Sequence, residues 1–475
     1  MKSSNFIRNL FYAFGAQLIS MVLSALMSLV VPKLLGIEDF SFWQLFIFYC
    51  GYSGFLHFGL VDGIYLKYGG KRYDTLDFSL IGSQFILTLI LQLSIGVGVV
   101  IAAREYGLEF QRLYVVYATL VYMVIYNASA FLGYIFQAVN QTSKYSISVM
   151  IDRLFFILIV FTALFKQHSD FYFFVNFYIV SKAIALFYCM YCGKDIILAK
   201  KKINKYILKD MLNSISIGSK LLIANIASSL ILGIGRIFID DVWGIKAFGK
   251  LSFALSLTVF FLQFISQVSM VLFPALRQTE REKLRDLYIN IRSGLSIFLP
   301  VIFVLYIPIK TILEIWLPEY KVSLEYMAIL LPICVLDGKM QMVCNTYFKV
   351  LRKENLLLFI NIVTALVSTL LCTIGAYLLE NMNAIIIFMV LSIALRSIFS
   401  EIYLAYLMKV NITRQLILEF IILIVFITSI WLFEDILTIC ILIISYFLYL
   451  ILNKKFVSEM IYGVKAMLKF RNDKC

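Results

Sequence analysis

The stretch Asp240-Asp241-Val242-Trp243-Gly244-Ile245-Lys246-Ala247-Phe248-Gly249 joins two apolar runs within residues 217–273, and the organisation of the whole chain turns on it. The first run carries Arg236, and a charge in hydrocarbon is costly unless it serves a purpose. The turn has an echo near the N-terminus. Gly36-Ile37-Glu38-Asp39-Phe40-Ser41 matches Gly244-Ile245-x-x-Phe248-Gly249 at an offset of 208. Each copy lies between a first and a second apolar span, so the pattern predicts a hairpin used twice, at the head of each of two halves.

The rest of the chain fits that reading. Of 475 residues, 62% are hydrophobic and 15% charged, and the mean hydropathy is +0.92. Such a composition leaves no room for a sizeable soluble domain and predicts an all-α polytopic membrane protein. The net charge of +14 is placed in short loops between spans, which fits membrane topology rather than nucleic acid. The first apolar stretch reads as a span rather than a cleavable signal peptide.

Fourteen apolar segments of spanning length are expected between residues 9 and 453. They divide into a six-helix lobe at 1–198, a cytoplasmic linker at 199–213, a second six-helix lobe at 214–408, and two extra transmembrane helices at 409–453. The last two could also form a single re-entrant pair. A basic amphipathic tail at 454–475 is expected on the inner leaflet, from the helical spacing of Val457, Met460, Ile461, Val464, Met467 and Leu468. With a cytoplasmic N-terminus, about 27 of the 42 Lys and Arg fall on the inner side. Trp43, Trp243, Trp316 and Trp431 then land at outer helix ends, as an aromatic belt would. Two six-helix units, an even number each, imply pseudo-two-fold symmetry about an axis along the membrane normal, with a cavity between them.

Charges within spans mark the candidate site. Lys220, Arg292 and Glu419 lie near cytoplasmic ends and are expected to snorkel. Asp337 and Lys339 point to different helix faces, and Arg396 and Glu401 are also off-register, so neither is an intrahelical pair. Arg153, Lys182, Arg236, Lys339 and Arg396 are therefore expected to face a shared hydrated cavity. Interhelical ion pairing is the rival reading for each of them. Amides such as Asn127, Asn140, Gln141, Asn225, Gln263, Gln267, Asn345 and Asn361 would suit hydroxyl-rich ligands. A cationic, amide-lined interior favours an anionic amphiphile with a large polar head.

Other chemistry is disfavoured. Gly244-x4-Gly249-Lys250 begins like a phosphate loop, but Leu251 replaces the required Ser or Thr. Cys189-Met-Tyr-Cys192 lies in a hydrophobic helix without a second pair, and His57 and His168 are the only histidines. No metal, cofactor or catalytic residue is expected.

Particular residues carry a family resemblance. They are Leu34-Leu35-Gly36-Ile37-Glu38-Asp39-Phe40-Ser41-Phe42-Trp43, Phe58-Gly59-Leu60-Val61-Asp62-Gly63-Ile64, Gly249-Lys250-Leu251-Ser252-Phe253-Ala254 and Leu272-Phe273-Pro274-Ala275-Leu276. The chain resembles the polysaccharide flippases of the multidrug/oligosaccharidyl-lipid/polysaccharide exporter superfamily, most of all the O-antigen (Wzx-type) translocases. Ser41 departs from the usual glycine, and Arg236 lacks the family's adjacent acidic partner. The resemblance implies a transporter rather than an enzyme, in the bacterial inner membrane with both termini cytoplasmic. Its implied substrate is an undecaprenyl-diphosphate-linked oligosaccharide, with the diphosphate against Arg153, Lys182, Arg236 and Arg396. It further implies coupling to a proton or sodium ion through Asp62 or Asp337, and association with a polysaccharide polymerase and a chain-length regulator. A lipid II or drug exporter of the same superfamily is the nearest alternative, and a membrane polymerase a more distant one.

Overall fold

In the computed structural model, residues 3–202, 204–277 and 279–454 are described; the expected tail lies almost wholly outside them. Among the described residues the chain is helical throughout. It runs α1 (Ser3–Leu29), α2 (Val31–Ser53), α3 (Leu60–Tyr68), α4 (Phe78–Glu105), α5 (Phe110–Ala138), α6 (Thr142–Lys166), α7 (Phe171–Cys192), α8 (Lys194–Leu198) and α9 (Lys205–Arg277). Then follow α10 (Arg281–Phe298), α11 (Val301–Trp316), α12 (Lys321–Leu330), α13 (Pro332–Lys339), α14 (Asn345–Val350), α15 (Glu354–Thr373), α16 (Met382–Met408), α17 (Thr413–Leu432) and α18 (Asp435–Leu452).

Among the described residues, eleven helices are long and apolar enough to cross a membrane, or up to 13 spans if each of two bent pairs is one span. The stretch Lys205–Ser266 is taken as one of the 11, although its 62 residues would run about 93 Å, three times a bilayer core of about 30 Å. Gly244 interrupts it, at φ 78° and ψ −178°. The other end of the predicted repeat breaks identically: Gly36 interrupts α2 at φ 68° and ψ 179°. That backbone region is essentially closed to residues with a Cβ, so both turns require the glycine that the two motifs share.

By internal contacts the chain forms two units. One comprises Met1–Ile226 with Ile245–Gly249, the other Ala227–Gly244 with Lys250–Cys475. The division falls inside α9 rather than in the linker expected at 199–213, of which residues 205–213 are already helix. In the first unit α5 lies against α2, α3, α4, α6 and α7. Trp43 is fully buried there, stacked 6.0 Å from Phe156 and edge-on to Phe174 and Tyr178. It is a core residue rather than the belt residue expected; Trp316 and Trp431, by contrast, are exposed. Residues 245–249 pack on α2 with the sequence offset of the repeat. Lys246 Nζ lies 2.8 Å from Glu38, and a Cβ on Gly249 would fall 1.8 Å from Ser41 Oγ. Glycine on one side of this crossing makes room for serine on the other, which accounts for the departure at Ser41.

The span containing α2 and α3 bends by 55° at Phe58 and Gly59, both at positive φ. A helix broken at membrane depth must satisfy its freed carbonyls internally. Asn127 Nδ2 donates to Ser53 O at 3.1 Å and Gln92 Nε2 to Leu56 O at 2.7 Å. Asn127, read above as a ligand-facing amide, is fully buried and committed to this repair.

In the second unit α16 packs on α12, α13 and α15. Its partner span, α12 with α13, bends by 43° before Pro332 and passes through a π-helical turn at Met340–Cys344. The helices α17 and α18 each qualify as a span. Tyr446 and Tyr449 of α18 donate their hydroxyls to Ile297 O and Ser296 O of α10.

Candidate functional site

The first unit assembles one compact group of charges. Asp152 on α6, 1% exposed, receives Lys182 Nζ from α7 at 2.6 Å and the Ser181 hydroxyl at 2.8 Å. Arg153, next to it in sequence, holds Nε 3.9 Å from the same carboxylate and keeps 30% of its side-chain surface exposed. That Nε makes no hydrogen bond. The Lys182 ammonium also lies 5.6 Å from the centroid of the Tyr126 ring, an attraction between cation and ring quadrupole. Tyr122 stacks on both Tyr126 and Tyr178, so tyrosines wall the group. Two cations share one carboxylate here.

The second unit arranges its charges differently. Arg236 on α9 donates from Nε and Nη2 to Ser252 Oγ, at 3.1 and 2.8 Å. Arg396 on α16 pairs with Asp337 on α13 and donates to Ser228 Oγ at 3.0 Å. Its Nε is buried without a hydrogen-bond partner. Arg396 also borders a groove of about 590 Å³ that is otherwise apolar, between α15 and α16, walled by Phe359, Val363, Phe399 and Ile402. Asp337 accepts a second bond, 2.7 Å, from Gln341.

Lys339 does not join the other predicted cations. It is 2% exposed and paired with Glu401 at 2.9 Å and with Glu419. Arg292 closes the ring, 2.6 Å from Glu401 and 3.6 Å from Glu419, and also donates to Gln415. Arg292 and Glu419 were expected to snorkel; they are 1% and 6% exposed instead. The reason is mutual compensation: two carboxylates bridging two cations remove the drive to reach water. The interhelical reading therefore holds for Lys339.

Asp62, in the first turn of α3, stands 4.0 Å from His57 Nε2 across the helix break. His57 Nδ1 accepts the Gly59 backbone N–H at 3.0 Å, which leaves Nε2 turned toward the carboxylate. Sequence reasoning had set His57 aside. Its five-residue separation from Asp62 matches no helical neighbour spacing, and the pair meets because the chain bends between them.

No curated protein matches the chain. Among solved structures, one described as the lipid II flippase MurJ in an inward closed conformation aligns with a TM-score of 0.67 and 13% identity, covering 95% of this chain and 100% of that one. An inward-facing multidrug resistance MATE family transporter of the MOP superfamily aligns with a TM-score of 0.58 and 15% identity, over 85% of this chain and 98% of that one. Its outward-facing counterpart gives 0.53 and 13%, over 85% and 95%. At such identities the likeness shows the fold, that of the MOP-superfamily transporters. A family described as "Polysaccharide biosynthesis protein" matches residues 6–280, more than half of the chain. The chain therefore belongs to the polysaccharide biosynthesis protein family, and its fold is that of the MOP-superfamily transporters.

Proposed function

We propose that the chain carries undecaprenyl-diphosphate-linked oligosaccharide repeat units, of O-antigen or a similar surface polysaccharide, from the inner to the outer leaflet of the bacterial inner membrane. It works by alternating access, with both termini cytoplasmic. The observation that carries this reading is the unbalanced group in the first unit. Asp152 compensates only one of Lys182 and Arg153, so the cluster retains one positive charge and an incompletely bonded guanidinium inside the membrane. A group of that kind is stabilised by an anion, and a guanidinium fork matches phosphate oxygens. The surrounding tyrosines supply hydroxyls and ring faces for a sugar. In the second unit, Arg236 and Arg396 are further candidates for anionic contacts, and the groove beside Arg396 is apolar enough for a lipid tail. Lys339 is left out of the proposed contacts because both bridging carboxylates hold it.

Coupling to a proton or sodium ion is assigned to Asp62, which stands 4.0 Å from a histidine ring nitrogen, ahead of Asp337, which is engaged by Arg396 and Gln341. Association with a polymerase and a chain-length regulator belongs to the same reading. Deletion of the gene should leave undecaprenyl-linked oligosaccharide on the inner leaflet, and the intact gene should clear it. If lipid II accumulates instead, the second reading prevails, which the 95% coverage by the lipid II flippase structure favours. Accumulation of neither would remove both.

A further inference from the structure

Residues 59–67 and 210–218, both within the first unit, form an antiparallel pair in a single register. Gly59 faces Gly218, Gly63 faces Ser214 and Lys67 faces Asp210; each step of four along α3 is matched by a step of four back along α9. A Cβ on Gly218 would lie 1.9 Å from the Gly59 carbonyl oxygen, and one on Gly63 1.8 Å from the Ser214 carbonyl oxygen. Backbone therefore touches backbone along this line. Ser214 is wholly buried. At the end of the line Lys67 Nζ meets the Asp210 carboxylate at 2.5 Å, and Gln84 Nε2 donates to the same group at 2.7 Å.

Two properties mark this contact. Small residues on both sides allow close approach, the usual basis of helix association where lipid removes the hydrophobic drive. At the Gly59–Gly218 and Gly63–Ser214 rungs themselves no side chain larger than serine stands, although Met211 and Ile215 beside them join the apolar cluster of Leu60, Val61 and Ile64. The pair also begins at the break at Phe58 and Gly59, where the chain already bends.

We propose that this pairing is a releasable seal. To expose the binding residues on the side of the membrane marked by Lys67, α3 and residues 205–218 separate along the glycine–serine line, and Lys67 with Asp210 and Gln84 is the latch. The inference rests on the transport reading above, but its structural half can be tested without any substrate.

The test uses full-length protein in membranes with the eight native cysteines replaced. Ser214→Cys alone should resist a membrane-impermeant maleimide, because its position is buried. Adding Gly63→Val, which drives a side chain into the Ser214 backbone, should raise the labelling rate at least tenfold. Lys67→Asp should do the same more mildly, and Asp210→Lys in that background should restore protection. These second variants decide the matter if Gly63→Val does not fold. Lys67→Cys/Asp210→Cys joined by a short cleavable thiol linker should lower transport at least tenfold, with recovery on cleavage. Labelling unaffected by both Gly63→Val and Lys67→Asp, failure to cross-link, or full transport while cross-linked would each overturn the seal. If labelling behaves as expected while the protein moves no lipid-linked oligosaccharide, the seal stands and the substrate reading falls.

Discussion

The two units treat buried charge in opposite ways, although both use cations and carboxylates on neighbouring helices. In the second unit, Arg292, Lys339, Glu401 and Glu419 form a closed ring in which each carboxylate touches both cations, and Arg396 pairs with Asp337, which also accepts from Gln341. In the first unit a single carboxylate, Asp152, serves Lys182 and Arg153. A balanced ring has nothing to offer a ligand and much to lose if one member goes. An unbalanced group tolerates the loss of its surplus member and attracts a counter-charge. The difference separates a self-compensated scaffold from the group proposed to bind substrate, in a way that the residue types alone do not.

The largest effect should come from unbalancing the ring. Glu419→Leu leaves two cations sharing Glu401, and breaking a buried pair typically costs about 3–5 kcal/mol. Loss of folded protein in detergent, measured by thermal unfolding, is the expected outcome; a wild-type melting curve would break the comparison. Next, Arg153→Ala leaves Asp152 and Lys182 as a matched pair, so the fold should persist. Loss of a charge-assisted contact worth about 1.5–3 kcal/mol should weaken substrate binding roughly ten- to hundredfold, read as accumulation of lipid-linked oligosaccharide. Unchanged clearance would return the group to a structural role.

The repeat is tested by Gly36→Ala and Gly244→Ala. Both place a Cβ in the same forbidden backbone region, at a cost of about 1–3 kcal/mol each, and their melting shifts should agree. A large disagreement would mean that the two turns only look alike. The smallest effect is expected for Lys246→Ala. It removes an ion pair with Glu38 that is more than half exposed on both sides, and such pairs are worth about 1 kcal/mol or less and are screened by salt.

Much of the fold was legible because it rests on local rules. Apolar runs long enough to span a bilayer announce helices without reference to any neighbour, and the two glycine turns were visible as a repeated motif. The pairing of Gly59-x3-Gly63 with Ser214-x3-Gly218 was legible in kind, since small residues four apart mark a close helix contact, yet their partnership was not. Of the candidate site, the charged residues within spans were visible but their partners were not: Lys339 was expected in a shared cavity and Arg292 and Glu419 at the membrane surface, whereas the three meet Glu401 in one buried ring.

Residue order alone set a membrane-embedded, all-helical chain, the glycine turns 208 residues apart, and the charges that would need an explanation. Hydrophobicity and backbone sterics act over a few residues, so each of these is written where it is used. Tertiary structure alone decided which charge meets which. Lys339 lies 62 residues from Glu401 and 80 from Glu419, and Arg396 59 from Asp337. Electrostatic compensation depends on distance in space, and only the packing of helices far apart in the chain sets that distance.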